Sequence, residues 1–547
     1  MPCLNRRMKH SCRAAVAGLF VFAVLSVARG ATFESLLLGF DTNASGISAD
    51  GSAVVGGYSV INGGSHAYRW TACGAVGLRD LASGTTNGYD VSGDGSVVVG
   101  FSGADAFRWT PAGCITGLGL INAVATNVSD DGTLILGYGR LHGQFSPIQA
   151  FSKTGNGPVT SFDFPDYLSI NAISRDNSIV VGGGGPAYRW TSATGAVQLP
   201  DLDPGSETSI AWDISADGSV ITGTSVAATG EVHLITWTGP DNTITDLGIL
   251  ASRDGVGASA DATNSDGSVI VGEAVTTLGS RNTAYAFIWD AAHGIRNLQD
   301  VLTNEYGLGS QLTNLQLTDA TGISDDGNVI AGNGVYTNSD FTTNNEVWRV
   351  TFGATPLALC GASSRASQNG TSYNISLVCG IALTPTTPTR PQRSAVRPKR
   401  SVTQVQASAA STSGGIIECR SGDGSGDGNY TLGLSFSNSL ASVAGASASE
   451  SGCGTIGVSG GGINGSDYVV HLTGVCNGQD VTVSLTDVND SNGGHLDTVT
   501  SQMPVLIGDT NGDGFVNSAD IGQTKAQSGQ PLGTSNFRED VDRKSVV

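Results

Sequence analysis

Between about residue 32 and residue 355 short apolar runs alternate with tight polar turns, and one such pattern keeps returning. Gly46-Ile-Ser-Ala-Asp-Gly-Ser-Ala-Val-Val-Gly56 recurs as Asp90–Gly100, Asn127–Gly137, Ala172–Gly182, Asp213–Gly223, Ala262–Gly272 and Gly322–Gly332, seven copies in all. In each, a turn residue stands five positions before the closing glycine: Gly51, Gly95, Gly132, Gly218, Gly267 or Gly327, with Asn177 in the fourth copy. Asp-Gly between two Val/Ile-rich runs predicts a β-hairpin, because the turn needs φ > 0 and glycine adopts it without strain. A third run follows, as in Ala67-Tyr-Arg-Trp70, Ala106-Phe-Arg-Trp109, Ala187-Tyr-Arg-Trp190, Leu234-Ile-Thr-Trp237, Ala286-Phe-Ile-Trp289 and Val347-Trp348. The third copy instead reads Ala150-Phe-Ser-Lys153. A fourth run is built on leucine, as in Val76–Leu81 and Ile244–Gly248. Four short strands in one repeat is the content of a propeller blade.

The ends of the repeat region carry the next expectation. The seventh copy stops soon after Trp348-Arg-Val-Thr-Phe352 without a leucine-type fourth run, while Phe33-Glu-Ser-Leu-Leu-Leu-Gly39 stands ahead of the first. A strand around Leu36–Leu38, paired with residues after Trp348, completes the last sheet and removes both open edges. The expected fold is therefore mainly β, with a closed seven-bladed β-propeller over residues 31–355. An open β-solenoid is the rival, disfavoured because its rungs are usually shorter and it needs capping repeats. The aspartate before each turn residue reads as turn chemistry, since seven equivalent turns do not make seven active sites. The tryptophans read as packing at equivalent core positions rather than as sugar-stacking platforms. Arg69, Arg108 and Arg189 read as stacked or paired beside them.

Beyond the repeats the pattern changes. Val347 to Ile417 contains no acid but seven basic residues, and Thr384 to Lys399 holds Pro385, Pro388, Pro391 and Pro398. That composition predicts an extended linker over residues 356–417. Strand patterns return over 418–507 in Tyr430–Phe436, Tyr468–Thr473, Val481–Leu485 and Val505–Ile507, separated by Gly/Asn/Ser loops. They predict a small immunoglobulin-like β-sandwich.

Composition adds the compartment. Glycine supplies 78 of 547 residues, about twice the usual share of roughly 7%, which disfavours a long-helix protein. Arg6, Arg7, Lys9 and Arg13 precede an apolar run from Ala14 to Ala28, with a small-residue site at Ala28-Arg29-Gly30. These are the parts of a secretory signal peptide over residues 1–30, and the run is shorter than the ~20 residues that span a bilayer. No later stretch predicts a membrane span. Without residues 1–30, which carry five basic residues and no acid, the formal charge moves from −20 to −25. That charge excludes a nucleic-acid backbone as partner. Seven cysteines remain, none in C-x-x-C spacing; Cys73–Cys114, Cys360–Cys379 and Cys453–Cys476 are plausible bridges whose connectivity the sequence leaves open.

Two resemblances rest on these motifs. The segments ISADGSAVVG, HAYRW and TDLG resemble the HAF repeats of exported bacterial proteins over about 320 residues, which implies an extracellular β-repeat protein and no particular reaction. Near the end of the chain, Asp509-Thr-Asn-Gly-Asp-Gly-Phe-Val-Asn-Ser-Ala-Asp520 places oxygen side chains at loop positions 1, 3, 5, 9 and 12. They belong to Asp509, Asn511, Asp513, Asn517 and Asp520, with Gly514 at the sharp turn and the carbonyl of Phe515 at position 7. This spacing can wrap one Ca²⁺, a hard cation that takes six to eight oxygens. The segment 508–547 is similar to a type I dockerin repeat, with a helix expected from Ser518. A dockerin has two such loops. The second would start at Asp540, but Lys544 falls where an oxygen ligand is needed, so the likeness covers half of the module and leaves binding of a cohesin-like domain in doubt.

For function, the expectation is a secreted or cell-surface, non-catalytic propeller that binds an extracellular glycan or protein and carries a calcium-binding tail. The alternative is a polysaccharide-degrading enzyme, a glycoside hydrolase tethered through its dockerin. Such an enzyme needs two carboxylates flanking one sugar bond, yet the nine glutamates are scattered. H-E-x-x-H and P-loop motifs are absent, and no catalytic residue is assigned.

Overall fold

The first repeat turns the expected pattern into four strands, Thr42–Ile47, Ala53–Val60, Gly64–Thr71 and Gly74–Gly77, each hydrogen-bonded antiparallel to the next. This is a computed structural model; it describes residues 30–353 with short internal gaps, parts of 359–383, Glu418, 428–450, 456–510 and 515–528. Repeats 2, 3 and 4 form equivalent four-stranded sheets, and repeats 5 and 6 are joined by a single parallel pair, Ala251 with Val275, into an eight-stranded one. Repeat 7 supplies three strands, Leu315–Ile323, Val329–Thr337 and Thr343–Phe352. Its fourth is Ala31–Leu36, antiparallel to the last of these, with Ala31 opposite Phe352 and Leu36 opposite Val347. The architecture is mainly β and propeller-like. The closing strand lies two to three residues earlier than the expected run Phe33–Gly39 and its pairing runs back through Trp348 to Val347, where Phe33 stacks on Trp348 and Leu36 enters the core beside Val347.

The turn shows why this sequence repeats. Ser48 Oγ donates to Asp50 Oδ1 at 2.6 Å and accepts from the Ala53 amide at 2.9 Å, while Asp50 Oδ1 also accepts from the Ser52 amide at 2.8 Å. The same lock recurs at Ser92/Asp94, Ser129/Asp131, Ser174/Asp176, Ser215/Asp217 and Ser324/Asp326, with Asn264 in place of the serine in repeat 6. The turn residue sits at φ between 62° and 74° in all seven copies. Each repeated aspartate is thus a hydrogen-bond acceptor in its own turn. Four of the six repeat tryptophans are core: Trp109, Trp237 and Trp348 are almost fully buried and Trp70 is 6% exposed, while Trp190 and Trp289 are half-buried beside the core. Arg69 Nε donates across to the Gly95 carbonyl of repeat 2 at 2.7 Å.

Closure carries its own ion pair. Arg349, only 2% exposed, binds Glu34 of the N-terminal strand at 2.5 Å, and its guanidinium lies 4.8 Å above the Trp70 ring of repeat 1. One cation therefore joins the first strand, repeat 7 and repeat 1. The long spacing before the seventh turn holds a helix, Leu298–Asn304, capped by Asn297, whose Leu298 and Leu302 pack into the core around Trp348.

After the repeats the structure departs from expectation in three ways. Residues assigned to the start of a linker instead form strands: Leu359–Gln368 pairs with Tyr430–Phe436, and Ile381–Leu383 adds a fifth strand to the outer edge of repeat 1. The acid-free composition that marked a linker is compatible with strands, because Ser, Ala and Cys alternate there. The proline-rich part, 384–417, lies outside the described residues. Second, the sandwich contains strands over Leu440–Glu450, Gly457–Asn464 and His495–Val505, and the run expected at Val505–Ile507 is only the end of the last. Two sheets, of five and three strands, share one core that includes Leu432, Leu434, Val470, Val483, Leu485 and Met503. Third, Cys73 bonds Cys360, not Cys114, which also rules out Cys360–Cys379. The strand pairings that bring residue 359 onward back beside repeat 1 place these two cysteines 5.4 Å apart between Cα atoms. Cys114 and Cys476 are disulfide-bonded as well.

Candidate functional site

A central channel of about 250 Å³ runs between the innermost strands, and all seven repeats contribute to its wall. In each repeat the pairing of first and second strands slips by a residue or more, as between Ala44 and Gly46, Gly88 and Asp90, and Ala211 and Asp213. Such bulges re-aim side chains, and the skipped residues Ser45, Tyr89, Thr126, Asn171 and Trp212 all line the channel.

The charged residues of the lining are five aspartates and Arg175, and the structure gives the aspartates bonding roles. Asp90 accepts from its own Val91 amide and, across the seam to repeat 3, from the Val128 amide, both at 2.8 Å. Asp213 does the same with Ile214 and with Thr263 of repeat 6, at 2.8 and 2.7 Å. Burial pushes both carboxyls up to about 7, and the hydrogen bonds only partly oppose it. Between repeats 6 and 7, Asp261 and Asp319 are close neighbours; burial first, and then the Asp319 carboxyl, raises Asp261 well above the carboxylate range. Glu273 nearby is pushed up to about 7, by burial and then by Asp319.

A pH dependence follows. A carboxyl that titrates higher in the folded chain than in the unfolded one holds a proton that unfolding releases. Its stabilisation is complete below the unfolded value near 4 and is lost as pH rises through about 7. The thermal midpoint should therefore fall between pH 5 and 8. The double variant Asp90→Asn, Asp213→Asn should lose part of that slope, the remainder coming from Asp261 and Glu273, although fewer acceptors make it less stable at pH 5. Calorimetric scans of both proteins across this range check it.

One mouth of the channel is bounded by the residue before each turn aspartate. Backbone amides link these positions in sequence around the mouth: Asp50 to the Gly93 carbonyl, Gly93 to Asp130, Arg175 to Ala216, Ala216 to Ser265, Ser265 to Asp325, and Asp325 to Ala49, at 2.8–3.1 Å. Between Asp130 and Arg175 a side-chain bond stands in their place, Arg175 Nε to Asp130 Oδ2 at 2.7 Å.

The calcium-loop residues are only partly described. Asn511 and Asp513 lie outside the described residues. Asp509 and Asp520 are buried, and the Phe515 side chain is exposed. Asn517 caps the helix Ser518–Gln527, which begins where the sequence predicts: its Oδ1 accepts from the Ala519 amide at 2.8 Å, and Asp520 Oδ2 accepts from the Asn517 amide at 2.9 Å. Thr510 Oγ1 reaches Asp520 Oδ1 at 3.4 Å, bringing the two ends of the loop together. Buried carboxylates at both ends fit a loop that closes on a cation. Among the described residues no group of three His, Cys, Asp or Glu is placed to hold a metal.

Sequence reasoning missed the channel acids, the mouth and Arg175. The locking serine recurs in every copy of the turn except the sixth, and that recurrence is the sequence signal for it.

No family model matches this chain, and no curated protein matches it. Among solved structures it is similar to TolB from Acinetobacter baumannii, at 13% identity and TM-score 0.31, covering 48% of this chain and 61% of that one. It is also similar to the Dos1 propeller, at 9% identity and TM-score 0.32, covering 59% and 94%. A third is a puromycin-hydrolyzing peptidase of Mycobacterium tuberculosis, at 12% identity and TM-score 0.37, covering 62% and 56%. With scores this low, the fold is read from the strand pairing itself. Among the described residues no helix is long and apolar enough to cross a membrane.

Proposed function

We propose that this chain is an exported, non-catalytic binding protein whose HAF-like repeats close into a seven-bladed β-propeller, with an immunoglobulin-like sandwich and a calcium-binding, dockerin-like tail behind it. The observation that carries the reading is the channel wall: all seven repeats contribute to it, and Asp90 and Asp213 are engaged in joining neighbouring repeats. The partner class is an extracellular glycan or protein. The hydrolase alternative is weakened by the one carboxyl pair that invites it. Asp261 and Asp319 interact closely enough that the Asp319 carboxyl raises Asp261, whereas glycosidase carboxyls stand roughly 5 Å or more apart to admit the sugar bond. Glycan-array binding by residues 31–547, run beside a reducing-sugar release assay, distinguishes the two. Release that disappears on single carboxylate substitution would overturn the binding reading.

The tail is proposed to hold one Ca²⁺ through Asp509, Asn511, Asp513, the Phe515 carbonyl, Asn517 and Asp520. Carboxylates converging on one point repel each other without the ion, so binding is coupled to local ordering. Calorimetric titration of the 31–547 chain should give one site. Asp509→Ala with Asp513→Ala should abolish the heat, and Asp540→Ala should leave it unchanged. A stoichiometry of two would show that the second loop also binds.

A further inference from the structure

The mouth of the channel contains one irregular junction, and the same side chain that repairs it also crosses the opening. Arg175 belongs to repeat 4. Its Nε donates to Asp130 of repeat 3 at 2.7 Å, and its Nη2 pairs with Asp325 of repeat 7. Repeats 4 and 7 are three places apart around the mouth, so a side chain that joins them must lie across the opening. All three side chains are substantially exposed, Arg175 at 48%. At this level the junction between repeats 3 and 4 lacks the amide-to-carbonyl bond found at the other six; side-chain contacts cross it instead, Asn127 Nδ2 to the Asn171 carbonyl at 2.7 Å and Asn177 beside Asp131.

We propose that Arg175 is an electrostatic strap: it closes this end of the channel and holds the junction of repeats 3 and 4, and it releases both when its pairing with Asp130 and Asp325 is screened or removed. Charge pairs this exposed are weakened when salt shortens the screening length from about 10 Å at 0.1 M to about 3 Å at 1 M, whereas backbone hydrogen bonds at the other junctions respond little. A belt with six backbone-bonded junctions and one ionic junction therefore has a predetermined place to open. Opening there uncovers the lower channel wall around Thr126 and Asn171.

Hydrogen–deuterium exchange of the whole chain tests this, with peptides covering 124–134 and 169–179 as reporters and 210–219 and 259–268 as references. Arg175→Gln should speed exchange in the reporters by about threefold to tenfold, the range expected for losing two exposed ion pairs, and should leave the references unchanged. Raising salt from 0.1 to 1 M should do the same to the parent chain and add nothing in the variant. Arg175→Lys keeps the charge but cannot fork between two carboxylates, so it should fall between them. Equal acceleration in reporters and references, no acceleration in either, or a salt response that persists in Arg175→Gln would each overturn the strap.

Discussion

A chain that begins at residue 37 should melt on the order of 10 °C below the chain that begins at residue 31, and should do so in the transition of the whole repeat region. The loss has two parts. Leu36, 2% exposed, leaves the core, which costs about 1.5–3 kcal/mol. Arg349, equally buried, loses Glu34, and an uncompensated buried charge costs about 3–5 kcal/mol. For a domain of this size each kcal/mol moves the midpoint by roughly 2 °C or more. Glu34→Gln separates the parts, since it keeps the strand pairing with Thr343–Phe352 and removes only the charge. It should give about half the shift. Differential scanning calorimetry of the three proteins provides the comparison, and superimposable transitions would mean that the N-terminal strand is dispensable to the ring.

The second large effect comes from the glycine that closes each repeat motif. At Gly100 an added Cβ would strike the Asn87 carbonyl of the adjoining strand and approach the Phe107 ring. Gly56, Gly137, Gly182, Gly223, Gly272 and Gly332 each meet a first-strand carbonyl in the same way. These contacts are with backbone inside a strand pair, so relief requires breaking the pair beside the bulge. Gly100→Ala should cost about 3–5 kcal/mol, at the upper end of single-residue effects. Gly184→Ala, where nothing lies within 4 Å and φ is not left-handed, should stay within about 0.5 kcal/mol. Urea unfolding of the two variants beside the parent checks both. The glycine is therefore required by a close approach, independently of the turn five residues earlier.

These cases also mark what the sequence made legible. The turn could be read because its chemistry is local: Ser48, Asp50 and Gly51 satisfy each other within six residues, and the same letters must recur wherever the same turn does. The core tryptophans could be read because a large apolar residue at equivalent positions has few alternatives. The channel could not. Its bulge positions carry Ser45, Tyr89, Thr126, Asn171, Trp212, Asp261 and Thr321, and side chains facing an opening are not held to one type, so no recurring letter marks them. The strands over Leu440–Glu450 and Gly457–Asn464 were missed for a related reason. They alternate Ser, Ala and Gly, which pair well as backbone while offering almost no hydrophobic period. The Cys73–Cys360 bond spans 287 residues and depends on a strand returning to repeat 1, a purely tertiary fact. The mouth belt is a backbone feature and is independent of side-chain identity except at Arg175.

The strand that completes the last repeat is also the first to be synthesised. Ala31 must wait for Phe352, and at translation rates of about 5–20 residues per second that interval is on the order of tens of seconds. Throughout it, Ala31–Leu36 has no partner for its row of amides and carbonyls, and Arg349 has not yet been made to receive Glu34. The nascent chain therefore carries an adhesive end of the kind that pairs with whatever strand arrives first, including the same end of a neighbouring chain. Folding of this protein is in that sense non-vectorial: six repeats can form in order, but the circle is committed only by its last-made strand.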